Sequence, residues 1–179
     1  MGQRFYLITG VMASGKSTTA QALSEQLPRC VHLRGDLFRR MIVSGREEMA
    51  DPPSQEALRQ LHLRYRLAAQ AAGGYWEAGF SVVLQDNYYG PDLANMVALL
   101  EDIPVRVVVL CPDAETVKAR EAARDKTGYG GFSPEPLWDS FMRETPRIGF
   151  WLDNSSLTVE ESVEQILSHG EPLCIERPG

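Results

Sequence analysis

The sequence predicts an α/β fold: a parallel sheet with helices packed on both faces. Three observations lead there. Short apolar runs alternate with longer polar or amphipathic segments along the chain. The runs are nearly continuous in apolar residues, as in Val105-Arg106-Val107-Val108-Val109-Leu110, which is how strands covered on both faces read. The segments between runs are long enough to hold the crossover helices that parallel strands need.

Each element has its own signal. Residues 4–9 form a buried strand that ends at Gly10, and residues 16–27 a helix with Ala20, Leu23 and Leu27 on one face, stopped by Pro28. A second strand at 30–33 precedes Asp36 and a short helix at 37–43. Asp51-Pro52-Pro53 breaks the chain. Residues 54–72 then make a long helix with Leu58, Leu61, Tyr65 and Ala68 on one side, which Gly73-Gly74 interrupts or ends. The third strand covers 81–85 and ends at Asp86. Pro91 opens a helix carrying Leu93, Met96, Val97 and Leu100. Residues 105–110 are the clearest strand, and 114–124 a helix followed by the glycine-rich Gly128-Tyr129-Gly130-Gly131. Ser133-Pro134 caps the next helix, 148–152 is the fifth strand, and Thr158 with Glu161 forms a capping box. Val159, Val163, Ile166 and Leu167 supply the last helix's apolar face.

Composition bounds the function. A chain of 179 residues, 44% hydrophobic and 23% charged, suits one soluble domain over 1–179, with no linker or repeat. No apolar stretch is long enough for a membrane span and no signal peptide is read, so a cytoplasmic location is expected. Cys30 and Cys111 read as reduced, buried core residues; with Cys174 the three are too scattered for a disulfide framework. A net charge of −6 and a pI near 5.1 provide no basic field, which argues against long nucleic acid as a partner. The three histidines show no metal-ligand spacing. The positive side chains are 15 arginines and three lysines.

One of those lysines sits in Gly10-Val11-Met12-Ala13-Ser14-Gly15-Lys16-Ser17-Thr18, which fits G-x-x-x-x-G-K-[ST]. Such a loop turns its N–H groups, and the positive end of the following helix, toward phosphate. Gly10, Ala13, Ser14, Gly15, Lys16, Ser17 and Thr18 are therefore expected to bind ATP, with Lys16 on the β/γ-phosphates and Ser17 on Mg²⁺. A preceding strand and a following helix give the motif the context it requires.

Three weaker signals follow the loop in sequence. Asp36 comes directly after strand two, where it can act as a base toward an acceptor hydroxyl, and Arg39, one turn on, can clamp the acceptor; a helix cap is the plainer reading of Asp36. Asp86 ends strand three, where a carboxylate orders Mg²⁺ or its waters, although Asp-Asn is also ordinary turn chemistry. Tyr88 beside it is a candidate for the acceptor pocket. Arg120 and Arg124 share a helix face before the glycine-rich loop, which suits a lid over about 120–136; a solvated, salt-bridged helix is the competing reading.

This order of features, with Leu152-Asp153-Asn154-Ser155 before the capped helix, resembles the small P-loop kinases. Within them it is most similar to the group of chloramphenicol phosphotransferase, the kinase half of polynucleotide 5′-kinases and the zeta-toxin-like phosphotransferases. The resemblance runs to about Leu167. It implies a three-layer P-loop kinase fold with strand order 2-3-1-4-5, Mg²⁺-ATP as donor, and a mobile lid. It also places Asp36 as base, Arg39 at an anionic group of the acceptor, and Arg120 and Arg124 as a catalytic arginine pair. Gln85 before the strand-three acid, and Asn87-Tyr88-Tyr89 after it, depart from the family pattern. The expected activity is transfer of the ATP γ-phosphate to a hydroxyl of a small molecule. A 5′-hydroxyl kinase for nucleotides or nucleic-acid ends, and a nucleotide-binding regulatory module with little turnover, are the alternatives. The acceptor's identity and the oligomeric state are not legible in the sequence.

Overall fold

A computed structural model describes residues 2–123, 134–169 and 172. Five parallel strands, β1 (Phe5–Gly10), β2 (Cys30–Arg34), β3 (Ser81–Gln85), β4 (Val105–Leu110) and β5 (Phe150–Leu152), line up in the order β2-β3-β1-β4-β5. This is the expected order. The helices are α1 (Lys16–Gln26), α2 (Asp36–Arg40), α3 (Gln55–Glu77), α4 (Pro91–Ala98), α5 (Ala114–Ala122), α6 (Pro134–Glu144) and α7 (Val159–His169).

The pleat explains the unbroken apolar runs. Central β1 is buried along its whole length, and alternate side chains serve opposite faces. Tyr6 and Ile8 pack with Ala20 and Leu23 of α1 and Val163 and Ile166 of α7. Phe5 and Leu7 pack on the other side with Tyr65, Ala68 and Ala72 of α3 and Leu93 and Met96 of α4. With a core on each face, neither face of the strand can be polar. Parallel register (Ile8 beside Gln85, Thr9 beside Val109, Leu33 beside Leu84) brings the strands' carboxyl ends to one edge. That edge carries the candidate site.

Four details differ from the sequence reading. β2 is half-buried throughout rather than buried, because it is the sheet's edge strand; Cys30 on it and Cys111 after β4 are free thiols, also half-buried. Burial, then the Asp153 charge, pushes the Cys111 thiol up to about 11, which keeps it protonated at neutral pH. Helix α3 runs through Gly73-Gly74 to Glu77. Each glycine disfavours the helix by about 1 kcal/mol relative to alanine, yet Ala72 and Trp76 on either side pack on the core and carry it through. Leu58, expected inside, is 37% exposed; the packed stripe is Ala57, Leu61, Tyr65, Ala68, Ala72 and Trp76. Finally, α2 is shorter than 37–43 and has no buried residue. Arg124, the glycine-rich loop, Ser133 and most of the expected lid lie outside the described residues, as does Cys174.

The capping box of α7 is present, with Glu161 N donating to Thr158 Oγ1 (3.1 Å) and Thr158 N to Glu161 Oε2 (2.8 Å). Among the described residues, no helix is long and apolar enough to cross a membrane.

Candidate active site

The loop between β1 and α1 departs from the sheet at Gly10, whose φ of 150° and close contacts admit no side chain. A Cβ there would lie 2.4 Å from the Leu110 carbonyl oxygen and 2.7 Å from Ser14 Oγ. Ala13 (φ 64°) and Gly15 (φ 92°) adopt left-handed backbone, which turns consecutive N–H groups inward as an anion-binding nest requires. Gly15 is the N-cap of α1 and supplies no side-chain cap, so the helix presents its first N–H groups to the loop. Lys16 is nearly buried, and its Nζ donates to the carbonyls of Gly10 (2.8 Å) and Val11 (2.7 Å). Its ammonium therefore lies across the loop, within reach of whatever anion the loop holds.

A second set of contacts braces the loop from the β5 side. Asn154 Nδ2 donates to the Ser14 carbonyl (3.0 Å), and Arg120 reaches the same carbonyl through Nη1 (3.4 Å) and the Asn154 carbonyl through Nη2 (2.9 Å). Arg120, expected in a lid, thus rests on the phosphate loop. Ser14 Oγ and Asn154 Oδ1 are buried without a hydrogen-bond partner. Buried polar atoms of this kind normally find one, so the cradle fits a polar ligand. Replacing Asn154 by leucine removes the donor and keeps the volume. One such bond is worth about 0.5–1.5 kcal/mol net, so ADP affinity measured by calorimetry should fall roughly 2–10-fold; unchanged affinity would make Asn154 a bystander.

The strand-three end is arranged differently from the expectation. Gln85, not Asp86, faces the loop, and its Nε2 lies 3.4 Å from Ser17 Oγ. Asp86 points the other way and is not placed to order Mg²⁺. Its Oδ2 accepts from Arg64 Nε (2.7 Å), its Oδ1 accepts from Arg64 Nη2 and from the Asn87 N–H (2.8 Å), and it is 4% exposed. The period-two alternation of a strand explains the swap, since neighbours point to opposite sides. Burial pushes the Asp86 carboxyl up, against the pull of Arg64 and the Asn87 N–H. Among the described residues no cluster of His, Cys, Asp or Glu could hold a metal by itself. Ser17 with Gln85 still fits Mg²⁺ in a site where phosphate oxygens and water supply most ligands.

Asp86 also shapes the neighbouring turn. Gly35 N donates to the Gln85 carbonyl (3.0 Å), and a Cβ on Gly35 would lie 2.1 Å from Asp86 Oδ2. Arg64 holds that carboxylate in place, so it cannot swing aside. Gly35→Ala should therefore destabilise the fold by about 1–3 kcal/mol, the usual cost of overpacking. For a chain of this size that lowers Tm by roughly 2–12 °C. A melting curve matching the parent's would show that the turn relaxes freely.

Asp36 follows as the first residue of α2, with Gly35 at the cap position, and no side chain caps that helix. The cap reading of Asp36 is therefore not realised. Its carboxylate pairs with Arg40 (2.9 Å) and more distantly with Arg34 (3.7 Å), and Oδ1 has no hydrogen-bond partner. Arg39 is paired with Glu48. Tyr88 is corrected from pocket to core: it is fully buried, its ring 5.0 Å from that of Tyr65, and its backbone N–H donates to Thr9 Oγ1 (2.9 Å). Arg64 was not singled out by sequence reasoning, while Gln85 entered only as a departure from the family pattern and Asn154 only as part of a quoted run, neither with a role of its own. Arg64 carries no local signal, because its partner is 22 residues away.

Residues 6–145 match the AAA domain family. The chain belongs to that family. Solved structures extend the likeness. A sugar kinase from Janibacter sp., in its unliganded form, is 21% identical with a TM-score of 0.66, covering 93% of this chain and 94% of that one. The tunicamycin resistance protein of Deinococcus radiodurans is 18% identical with a TM-score of 0.69 and the same coverage. Shikimate kinase from Bacteroides thetaiotaomicron is 14% identical, with a TM-score of 0.64 over 92% of this chain and 97% of that one. At such identities the likeness concerns the fold. No curated protein sequence matches the chain. This AAA-domain chain thus has the fold of the small P-loop kinases, as the resemblance implied, and its phosphate loop occupies the start of the matched region.

Proposed function

We propose that the chain is a single kinase domain over residues 1–179 that transfers the γ-phosphate of ATP to a hydroxyl of a small molecule. One observation carries this reading. Ser17 of the phosphate loop touches the Gln85 side chain, and the Gln85 carbonyl holds Gly35, the residue before Asp36. Two hydrogen bonds thus link the donor loop to the turn that bears the candidate base.

The residues divide the work by position. The loop's N–H groups, the start of α1 and Lys16 bind the phosphates, and Arg120 with Asn154 keeps the loop in shape from behind. In this reading Arg124 is a further cation that would neutralise the transferring group; it and most of the lid expected at about 120–136 lie outside the described residues. Ser17, beside Gln85, is the side chain that would hold Mg²⁺, which supplies charge neutralisation at the β- and γ-oxygens when bound. Asp36 accepts the hydroxyl proton, and the acceptor oxygen then attacks phosphorus in line as the bond to ADP breaks. Proton and phosphoryl group both end with their acceptors, so positioning and electrostatics provide most of the rate.

The family and the kinases of similar fold support the donor half of this reading. Screening hydroxylated metabolites, sugars, antibiotics and nucleotides for acceptor-dependent ADP release tests it. Release with at least one such compound is the expected result. Hydrolysis indifferent to every acceptor, or tight nucleotide binding without turnover, would favour a regulatory module instead.

A further inference from the structure

Helix α3 carries different chemistry on its opposite sides. Successive helical residues turn by about 100°, so positions two apart project nearly opposite ways. Arg64 reaches Asp86 at the end of β3. His62 and Arg66, two residues before and after it, project away from that pair and line an open cleft of about 400 Å³ against α4. Buried Tyr65 and Met96 form its floor, and Asp92 and Leu99 line it from the α4 side.

The cleft holds one charge of each sign, and neither is well matched. Arg66 is exposed and makes no ion pair or hydrogen bond among the described residues. Asp92 has the His62 ring as its one ion-pair partner there, with Nε2 at 3.7 Å, longer than a hydrogen bond. An adjoining hollow of about 320 Å³ shares His62 and Arg66, but its other charges are matched. There Arg59 pairs with Glu56 (3.3 Å), and Gln60 Nε2 donates to the same carboxylate (3.0 Å). Leu99 leaves an apolar surface at the cleft, 47% exposed. The floor is fixed: Tyr65 Oη donates to the Asn87 carbonyl (2.7 Å), and its ring lies 5.0 Å from that of Tyr88. A ligand would therefore find the cleft already formed, which lowers the cost of binding.

We propose that this cleft binds a small zwitterion, an amino acid with an apolar side chain. Its carboxylate pairs with Arg66, its ammonium with Asp92, and its side chain lies over Met96 and Leu99. Asp92 stands at the level of His62, one turn before Arg66, so the two protein charges are separated by about 5–6 Å along α3. An amino acid carries both charged groups on one carbon. With a hydrogen bond of about 3 Å at each end, it spans that gap. A simple anion would meet Asp92 at close range, and a simple cation would meet Arg66. A molecule of both signs is attracted by both. The site uses neither the phosphate loop nor Asp36, and it stands whether or not the chain is a kinase.

Calorimetric titration of the full chain with phenylalanine tests this. Hydrocinnamate, which lacks the ammonium, and phenethylamine, which lacks the carboxylate, are titrated beside it. Phenylalanine should bind with a dissociation constant of about 1 mM or tighter. Each truncated probe should bind about 3–10-fold more weakly. Arg66→Gln should abolish the advantage of phenylalanine over phenethylamine, and Asp92→Asn its advantage over hydrocinnamate. Comparing the three probes on the parent decides the question even where a variant is unstable. Equal affinity for all three, weaker binding of phenylalanine than stated, or full binding in both folded variants would overturn the proposal. So would competition by ADP, which would put the probe in the phosphate loop instead.

Discussion

Asp36→Asn is expected to yield a stable, ATP-binding protein whose transfer rate is lower by about 10²-fold or more. The carboxylate caps nothing, so the change does not cost a helix cap. It loses ion pairs with Arg40 and Arg34, whose side chains are 65% and 43% exposed. Pairs of that kind contribute about 0–1 kcal/mol. The amide cannot take a proton at neutral pH, however, and a general base does not survive its introduction. Melting curves and acceptor-dependent ADP release from one preparation separate the two effects. Parental activity with parental melting would remove Asp36 from the chemistry. Lost activity with a collapsed fold would contradict the weak structural role assigned to it here.

The second large effect is expected at Lys16. Its ammonium is the one side-chain charge within the loop sequence, and the Gly10 and Val11 carbonyls aim it across the loop mouth. Lys16→Ala should lower turnover about 10²–10³-fold, the usual scale for removing a group that stabilises charge in transfer. It should also weaken ADP binding. Unlike a surface lysine, Lys16 is nearly buried, and its loss leaves two carbonyls short of a donor. A stability loss of about 1–3 kcal/mol is expected with it. ADP release within a few-fold of the parent would exclude this loop as the donor site.

Legibility in the sequence followed the range of each interaction. The five strands, the loop and the capping box of α7 are local patterns, set by neighbours within about ten residues, and each appears where the pattern places it. Misreadings arose where distant contacts decide. Gly73-Gly74 breaks a helix on propensity alone, but packing of Trp76 beyond it keeps α3 intact. Asp86 looked like a metal ligand because it ends a strand, and only the fold brings Arg64 against it. Tyr88 is similar: a polar-tipped ring beside an acid resembles a pocket wall, yet the sheet buries it completely. Asn154 lies 140 residues from the carbonyl that it holds, so nothing nearby announces its role.

The absence of any buried residue in α2 bears on how this protein can change over evolutionary time. Substitutions in a segment that contributes little to the core are commonly neutral to stability, within about 0.5 kcal/mol. Asp36, the proposed base, and Arg39, expected at the acceptor, both belong to that segment. Phosphate-loop residues such as Gly10, Ser14 and Lys16 are instead locked into the centre of the sheet. A lineage could therefore drift or be selected toward new acceptors while its nucleotide chemistry stayed under strict constraint. Directed evolution confined to positions 37–50 should reach altered acceptor preference without stabilising background mutations, whereas libraries at 10–18 should return mostly inactive chains.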